Sequence, residues 1–313
     1  MIDSQSQKKI DLSVVIPLYR ESLHLHHSLD EVQAVLKSTN LSYELILIDD
    51  GSPDHTWQKI TEYCLLHKNV KAFCLSRNFG KEAAMAAGLS HAQGKAVITM
   101  DGDLQHPPAF IPEMIQKWNS GFEVVEAKKK HRGQETFFSR LRAKLFYSLF
   151  SNLTHLDLKG SSDFKLMDQK VLSAWKQMGE SNLFFRGMNA WLGFKRTQIE
   201  FSVAPRAGGS SGWSLLKLLR LGITAVTSFS SAPLYMLVLM GLGFGFFALI
   251  LGIQTLYMKL SGHALDGFTT VIFLILLLGS AIMFGMALMG VYIAQIYDEV
   301  KHRPRYVIRE FIN

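Results

Sequence analysis

Two long stretches without a charged side chain constrain this chain more than any other feature. No Asp, Glu, Lys or Arg occurs from Leu221 to Met258 or from Gly267 to Tyr297. About 20 apolar residues are enough for a helix to cross a hydrocarbon core about 30 Å thick, and both stretches are longer than that. We therefore predict two membrane-spanning helices, from about Ala232 to Met258 and from about Phe268 to Tyr297, after a water-soluble front part.

The charges beside these stretches predict the orientation of the chain in the membrane. Four basic side chains follow the second stretch: Lys301, Arg303, Arg305 and Arg309. The loop between the two stretches has a single Lys or Arg, Lys259. Because basic residues are enriched on the cytoplasmic side of membrane proteins, we expect a multi-pass protein of the inner membrane with its front domain and both termini in the cytoplasm.

The net charge of +7 is less informative than its position along the chain. The segment from Lys128 to Lys144 has seven Lys or Arg residues and one acidic residue. A basic cluster in a membrane protein favours contact with lipid phosphate, so we expect membrane lipid and no nucleic acid as a partner. The two cysteines, Cys64 and Cys74, are too few for a disulfide framework and are typical of a reducing compartment.

The first 130 residues alternate between short apolar runs and helical patterns. Predicted strands are Ser13–Leu18, Tyr43–Asp50, Val70–Ser76, Ala96–Asp103 and Phe122–Lys128. Predicted helices are Leu23–Lys37, Asp54–His67, Lys81–Gln93 and Pro108–Asn119. This order predicts an α/β fold of Rossmann type, with a right-handed and mainly parallel sheet.

The rest of the chain predicts interfacial helices, a transmembrane domain and a basic tail. Two amphipathic stretches, Arg132–Leu153 and Trp213–Leu221, are typical of helices in the lipid headgroup layer, although the first also fits a core helix with one solvated side. We therefore divide the chain into four parts. They are an α/β core (1–130), a part with interfacial helices (131–231), a two-helix transmembrane domain (232–297) and a basic tail (298–313).

Two pairs of aspartates follow predicted strands. Asp101 and Asp103 lie two residues apart in a strand-end turn, where both carboxylates can face a hard cation that keeps some of its waters. The pair therefore indicates Mg²⁺ or Mn²⁺ bound between the protein and a diphosphate, and the alternative is a solvated turn. Asp49 and Asp50 can accept hydrogen bonds from a nucleobase or ribose, or can form an Asx turn with a helix cap.

Two more predicted strands also run into polar residues. The first strand leads into Pro17–Glu21 and the third into Arg77–Glu82. Four strand ends thus have polar groups that a purely structural sheet does not require. Since ligands of open α/β sheets bind at the carboxyl ends of the strands, we expect the functional site at this edge.

These motifs resemble the family 2 glycosyltransferases of GT-A fold, and among them the polyprenyl-phosphate glycosyltransferases such as bactoprenol glucosyl transferases and dolichol-phosphate mannose synthases. The matching segments occur in the family's order and cover nearly the whole chain. They are Pro17–Glu21, Asp49–Ser52, Arg77–Lys81, Asp101–Gln105, Ser162–Leu166, Phe185–Gly187, Trp191–Phe194 and the two apolar stretches. Two positions depart from the family's pattern, because Arg20 stands where the family usually has Asn and Gly212 stands where it usually has Lys.

The resemblance implies a role for each matching residue. The nucleotide sugar is expected to contact Pro17, Tyr19, Glu21, Asp49 or Asp50, Lys81 and Arg206. The metal ion is expected to be held by Asp101, Asp103 and Gln105. Asp163 matches an acidic residue near the reacting phosphate, and Arg132 and Arg140 resemble residues that receive the lipid phosphate.

The resemblance also implies an activity. It predicts a membrane-bound enzyme that transfers a sugar with inversion from a nucleotide diphosphate sugar to polyprenyl phosphate, and relatives indicate a homo-oligomer. UDP-glucose and undecaprenyl phosphate are the substrates it favours, and the product would be a lipid-linked sugar for modification of cell-surface glycans. Two alternatives stay open: an enzyme of the same fold that extends a lipid-linked glycan, and a non-enzymatic membrane adaptor, which only Gly212 favours.

Overall fold

The computed structural model describes two compact units. The described residues are 10–103, 106–129, 151, 154, 161–180, 184–201, 227, 230–262 and 267–313. The first unit contains those within 1–147, 156–212 and 303–313, and the second contains those within 148–155 and 213–302. The predicted interfacial segments Arg132–Leu153 and Trp213–Leu221 lie almost entirely outside the described residues.

The first unit is built on one eight-stranded sheet with the strand order β7-β5-β6-β4-β1-β2-β3-β8. The strands are β1 Leu12–Leu18, β2 Tyr43–Asp49, β3 Val70–Leu75, β4 Ala96–Thr99, β5 Val124–Lys129, β6 Lys165–Asp168, β7 Arg196–Phe201 and β8 Ile308–Ile312. The pairings make β6 and β8 antiparallel to their neighbours, and all other strands run in one direction. The sheet is therefore mixed but mainly parallel.

Helices connect the strands of this unit. They are α1 Leu25–Ser38, α2 Thr56–Leu66, α3 Lys81–His91, α4 Ile111–Asn119, α5 Gln169–Gln177 and α6 Phe185–Trp191, with a short 3-10 helix at Pro108–Phe110. In α1 the buried apolar positions recur every three or four residues, at Leu25, Leu29, Val32 and Leu36. This spacing places one apolar side of the helix against the sheet.

The central strands are buried on both faces, as the continuous apolar runs predict. Val14, Val15 and Ile16 of β1 are each at most 1% exposed. In the parallel pairing of β1 with β2, Leu18 at the end of β1 lies opposite Asp49 at the end of β2. The two strands therefore end together, and the residues that follow them enter the same edge of the sheet.

All five predicted strands are present in the predicted chain order, and the sheet places the fifth apart from the fourth. β5 does not pair with β4, because β6 lies between them and is antiparallel to both. β4 also ends at Thr99 and not at Asp103. The Thr99 hydroxyl donates to the carbonyl of Asp163 at 2.6 Å, so the end of β4 is joined to the segment that leads into β6.

The last residues of the chain form a strand that the sequence analysis does not predict. β8 pairs antiparallel with β3, and Phe73 lies opposite Phe311. The Trp57 indole N–H donates to Glu310 Oε2 at 2.8 Å, and the Arg309 guanidinium donates to Cys74 Sγ at 3.3 Å. Part of the predicted basic tail is thus the edge strand of the catalytic sheet.

The second unit contains two long apolar helices, α7 Ala232–Leu260 and α8 Phe268–Val300. Mean hydropathy is 2.5 in Ala232–Leu260 and 2.7 in Val271–Val300. At 1.5 Å per residue, 29 residues extend over about 43 Å, which is enough to cross a membrane. The two helices predicted from the sequence are therefore present as candidate membrane spans, and each extends slightly past its predicted end.

Candidate active site

The polar strand ends of the sequence analysis converge at one edge of the sheet. β1, β2 and β4 are parallel neighbours, and β3 continues the same sheet beyond β2. The loops that follow them therefore leave the sheet on the same side. Asp101 and Asp103 follow β4, and Lys81 is the first residue of the helix that follows β3.

Lys81 lies between two carboxylates at the centre of this edge. Its Nζ is 2.6 Å from Asp101 Oδ1 and 2.8 Å from Asp163 Oδ2. Burial alone would lower the pKa of the Lys81 ammonium, but the charges and hydrogen bonds of Asp163 and Asp101 outweigh it and raise the pKa. Lys81 is therefore a permanent cation, and it brings the predicted metal ligand Asp101 and the predicted phosphate-side residue Asp163 together.

Asp163 is held on its other side by Arg186, the second residue of α6. Arg186 Nε donates to Asp163 Oδ1 at 2.7 Å and Arg186 Nη2 donates to Asp163 Oδ2 at 3.0 Å, in a bidentate pair. Burial alone would raise the pKa of Asp163, but Arg186 and Lys81 together hold it well below its usual range. Asp163 is therefore a fixed anion and a weak base, suited to orienting cationic groups.

The carboxylates after β4 fit a hard divalent cation. The Asp101 side chain is 25% exposed, and Asp103 is exposed. Burial raises the pKa of nearby Glu21, and the charges of Asp103, Asp54 and Asp101 raise it further, so the field at this edge is negative. Within the described ranges no group of three or more His, Cys, Asp or Glu side chains could hold a metal ion. A cation at Asp101 and Asp103 would thus need further oxygen ligands from diphosphate and water.

Asp49 and Asp50 form hydrogen bonds inside the protein. Both residues are buried, and Asp49 accepts the amide N–H of Ser52 and the thiol of Cys74. Asp50 accepts the amide N–H groups of Phe79 at 2.8 Å and Gly80 at 2.9 Å. Burial raises the pKa of Asp50 although these two hydrogen bonds lower it. Asp49 thus bonds within its own turn, Asp50 joins that turn to the loop after β3, and neither residue is the N-cap of α2, which is His55. Contact between these aspartates and a nucleotide stays a prediction.

The loop after β2 approaches the loop after β3 so closely that only glycine fits between them. Gly51 has a φ of +62°, and a Cβ atom there would lie 2.4 Å from the carbonyl carbon of Arg77. Any side chain would therefore push the two loops apart. Gly51 thus fixes the position of Arg77, whose guanidinium lies 4.2 Å from the centre of the Phe79 ring.

The loop after β1 is fastened to the loop after β2. The amide N–H of Arg20 donates to Ser52 Oγ at 3.0 Å, and that of Glu21 donates to Thr56 Oγ1 at 3.0 Å. Tyr19 is 39% exposed at the same place. Tyr19 and Glu21 therefore lie at the expected edge, after Pro17 near the end of β1.

The structure brings together some predicted residues, leaves others outside the described part, and adds new ones. Gln105, Arg132, Arg140, Arg206 and Gly212 lie outside the described residues. Arg186, Glu82 and Thr99 have contacts to the site for which the sequence analysis assigned no role. Arg186 belongs to the matching segment Phe185–Gly187 and Glu82 to the polar segment Arg77–Glu82 after β3, so these two segments were the available signal.

Sequence comparison agrees with this geometry. The family described as "Glycosyl transferase family 2" matches residues 13–174, which contain β1 to β6, Lys81, Asp101, Asp103 and Asp163. The chain belongs to this family. The likeness to single members extends over nearly the whole chain: the protein called "Uncharacterized glycosyltransferase YkcC" of Bacillus subtilis is 37% identical over 308 residues, 97% of this chain and 94% of the relative.

Two further proteins illustrate the range of similarity. The "Bactoprenol glucosyl transferase" of Shigella phage SfV is 34% identical over 303 residues, 95% of this chain and 98% of the relative. The crystal structure of mannosyl-3-phosphoglycerate synthase from Rubrobacter xylanophilus has a TM-score of 0.47 and 17% sequence identity, and the alignment covers 69% of this chain and 72% of that one.

Proposed function

We propose that this glycosyltransferase transfers glucose from UDP-glucose to a polyprenyl phosphate at the cytoplasmic surface of the inner membrane. One observation carries the proposal. The phage protein named as a bactoprenol glucosyl transferase is 34% identical over 95% of the chain, so the likeness includes the two apolar helices as well as the site. An acceptor with a membrane-embedded tail gives a reason for those helices.

The charged edge of the sheet suits a diphosphate leaving group. Lys81 and Arg186 supply fixed positive charges, and Asp163 keeps both in place. A Mg²⁺ or Mn²⁺ ion at Asp101 and Asp103, with Gln105 as a further ligand, would stabilise negative charge that develops on the diphosphate. We place the nucleotide at the loops of Pro17, Tyr19, Glu21, Asp49 and Asp50, and Arg206 over the diphosphate.

The acceptor needs no strong general base. A phosphate monoester has a second pKa near 6, so its attacking oxygen is largely anionic at neutral pH. The bond from this oxygen to C1 of the sugar forms as the bond from C1 to the diphosphate oxygen breaks, and UDP leaves. Arg132 and Arg140 would receive the lipid phosphate. The pKa of Asp163 is held low by Arg186 and Lys81. Asp163 therefore orients these two cations and does not remove a proton.

The tail strand supports the proposed orientation. β8 follows α8 in the chain and pairs with β3 in the sheet of the catalytic unit. If α7 and α8 both cross the membrane, the tail and the catalytic unit lie on the same side of it. The basic residues Lys301 and Arg303 favour the cytoplasm as that side, by the same rule of charge distribution that the sequence analysis uses.

A transfer assay tests the proposal. The full chain in detergent would be incubated with labelled UDP-glucose, Mg²⁺ or Mn²⁺ and one of two acceptors, undecaprenyl phosphate or undecaprenol. We expect label in the lipid fraction only with the phosphate, since the alcohol lacks the anionic oxygen. GDP-mannose and UDP-galactose in place of UDP-glucose test the sugar and the nucleotide.

The acceptor arms separate the proposal from its alternatives. Transfer to a lipid that already has a sugar, but not to undecaprenyl phosphate, would indicate glycan extension. If a folded protein transferred no sugar from any donor, the proposal would be wrong and the adaptor alternative would gain support.

A further inference from the structure

Glu82 connects two distant parts of the site. Its Oε2 accepts the backbone N–H of Phe185 at 2.9 Å, across 103 residues of sequence. Phe185 is the first residue of α6, where a helix has amide groups without an intrahelical acceptor. The side chain of α3 therefore satisfies the first amide of α6, a helix of seven residues with few hydrogen bonds of its own.

The position of α6 matters because its next residue is Arg186. Arg186 makes the bidentate pair with Asp163, and Lys81, the neighbour of Glu82, makes the other ion pair with the same carboxylate. Two consecutive residues at the start of α3 thus act on Asp163. Lys81 contacts it directly, and Glu82 holds the helix from which Arg186 reaches it.

We propose that Glu82 is a positioning residue for sugar transfer: by accepting the first amide N–H of α6, its carboxylate keeps Arg186 on Asp163. This inference rests on the proposed function for its kinetic consequence. Its structural consequence, a fixed start of α6, can be measured without any substrate.

The surroundings of Glu82 oppose its charge. Burial and the charge of Asp163 raise its pKa, the Phe185 amide, Arg186 and Lys81 lower it, and the net result is a pKa of about 7. The folded protein therefore binds this proton more tightly than the unfolded chain does, and stability contributed here falls as the pH rises from about 4.5 to about 7. Because a carboxylate accepts a stronger hydrogen bond than a neutral acid does, positioning of α6 improves as the pH rises through about 7, where Glu82 ionises in the folded protein.

Three variants of the full chain test the inference: Glu82→Ala, Glu82→Gln and, as a matched control, Glu113→Ala. Glu113 is exposed and also lies in the first turn of a helix, α4. We expect amide hydrogen exchange in the segment 184–191 to be at least about tenfold faster in Glu82→Ala and unchanged in the control. In Glu82→Gln the amide oxygen still accepts from Phe185, so exchange stays within about threefold of the wild type.

The kinetic constants for sugar transfer and their pH dependence give the second test. We expect Glu82→Ala to lower kcat about tenfold or more with little change in KM for the nucleotide sugar, and Glu82→Gln to retain most of kcat. Beyond the rise that ionisation of the lipid phosphate gives to both proteins, the wild-type kcat should rise by no more than about threefold as the pH passes about 7, and Glu82→Gln should lack this added step. If Glu82→Ala fails to fold, the pH profile and exchange of Glu82→Gln still decide the question.

The outcomes separate this inference from the proposed function. Unchanged exchange and unchanged kcat in Glu82→Ala would overturn the positioning role while leaving the transfer activity intact. Equal loss in Glu82→Gln and Glu82→Ala would also overturn it, because the hydrogen-bond acceptor would then not be what matters. A wild type that transfers no sugar would contradict the proposed function. The exchange data would still test whether the hydrogen bond from Phe185 to Glu82 fixes the start of α6.

Discussion

Two charged clusters contain residues only two apart in the chain, Asp163 and Lys165, but the Lys165 cluster is buried and the Asp163 cluster is partly exposed. Lys165 and Glu126 form an ion pair of 3.0 Å between side chains that are 0% and 3% exposed. Asp163 has ion pairs with Lys81 and Arg186, each 41% exposed, at the edge of the sheet. The first pair is sealed within the protein, whereas the second cluster is open to a ligand. The comparison predicts that the first ion pair acts mainly on stability and the second mainly on activity.

The pKa values differ in the same way. Burial lowers the pKa of the Lys165 ammonium despite the opposing charge of Glu126. At Lys81 burial acts in the same direction, but two carboxylates outweigh it and the pKa is raised. We therefore expect the buried pair to act mainly on stability and the open cluster to act mainly on binding, although Asp163 and Arg186 also influence the pKa of Lys165.

The largest effect we predict is on stability, in the sealed pair. Lys165→Ala leaves the Glu126 carboxylate buried without its counter-charge, which costs about 3–5 kcal/mol of unfolding free energy. Urea unfolding of the full chain in detergent, followed by tryptophan fluorescence, measures this cost. The double variant Lys165→Met with Glu126→Leu removes both charges and should recover most of the loss. If Lys165→Ala were as stable as the wild type, the buried pair would not contribute more to stability than the open cluster does, and the comparison would fail.

The next effect is on activity, in the open cluster. Asp163→Asn removes the anion that holds Lys81 and Arg186, and we expect kcat for transfer to the lipid phosphate to fall about 10²–10³-fold. The loss of unfolding free energy should be smaller than that of Lys165→Ala, because the partners of Asp163 can turn to water. Transfer kinetics and urea unfolding on the same preparation check both parts. Full activity with a large stability loss would assign Asp163 to the fold.

The sequence predicts the edge of the sheet well because its signals are local. Apolar runs buried on both faces define β1 to β4, and parallel strands place Asp101 and Lys81 at the same end. Two long uncharged stretches likewise predict α7 and α8 by length and composition alone. In each case one short segment contains the whole physical reason for its structure.

What the sequence does not predict depends on distant partners. β6 begins with Lys165, whose charge is typical of a surface, and only the pairing with Glu126 makes it a buried strand residue. β8 has the charged residues Arg309 and Glu310 in a five-residue strand whose partner, β3, lies more than 200 residues earlier. The hold of Glu82 on α6 is equally non-local. No periodicity in a single segment reports such contacts.

The most direct test of the account is the metal dependence of lipid glucosylation through Asp103. Labelled glucose in the lipid fraction would be measured for the wild type, for Asp103→Asn and for the control Asp11→Asn, whose carboxylate contacts Lys95 before β1 begins. We predict that chelation removes the activity of the wild type, that Mg²⁺ or Mn²⁺ restores it, and that Asp103→Asn loses at least about 10²-fold while Asp11→Asn does not. Undiminished glucosyl-lipid formation by Asp103→Asn in the presence of chelator would contradict the account.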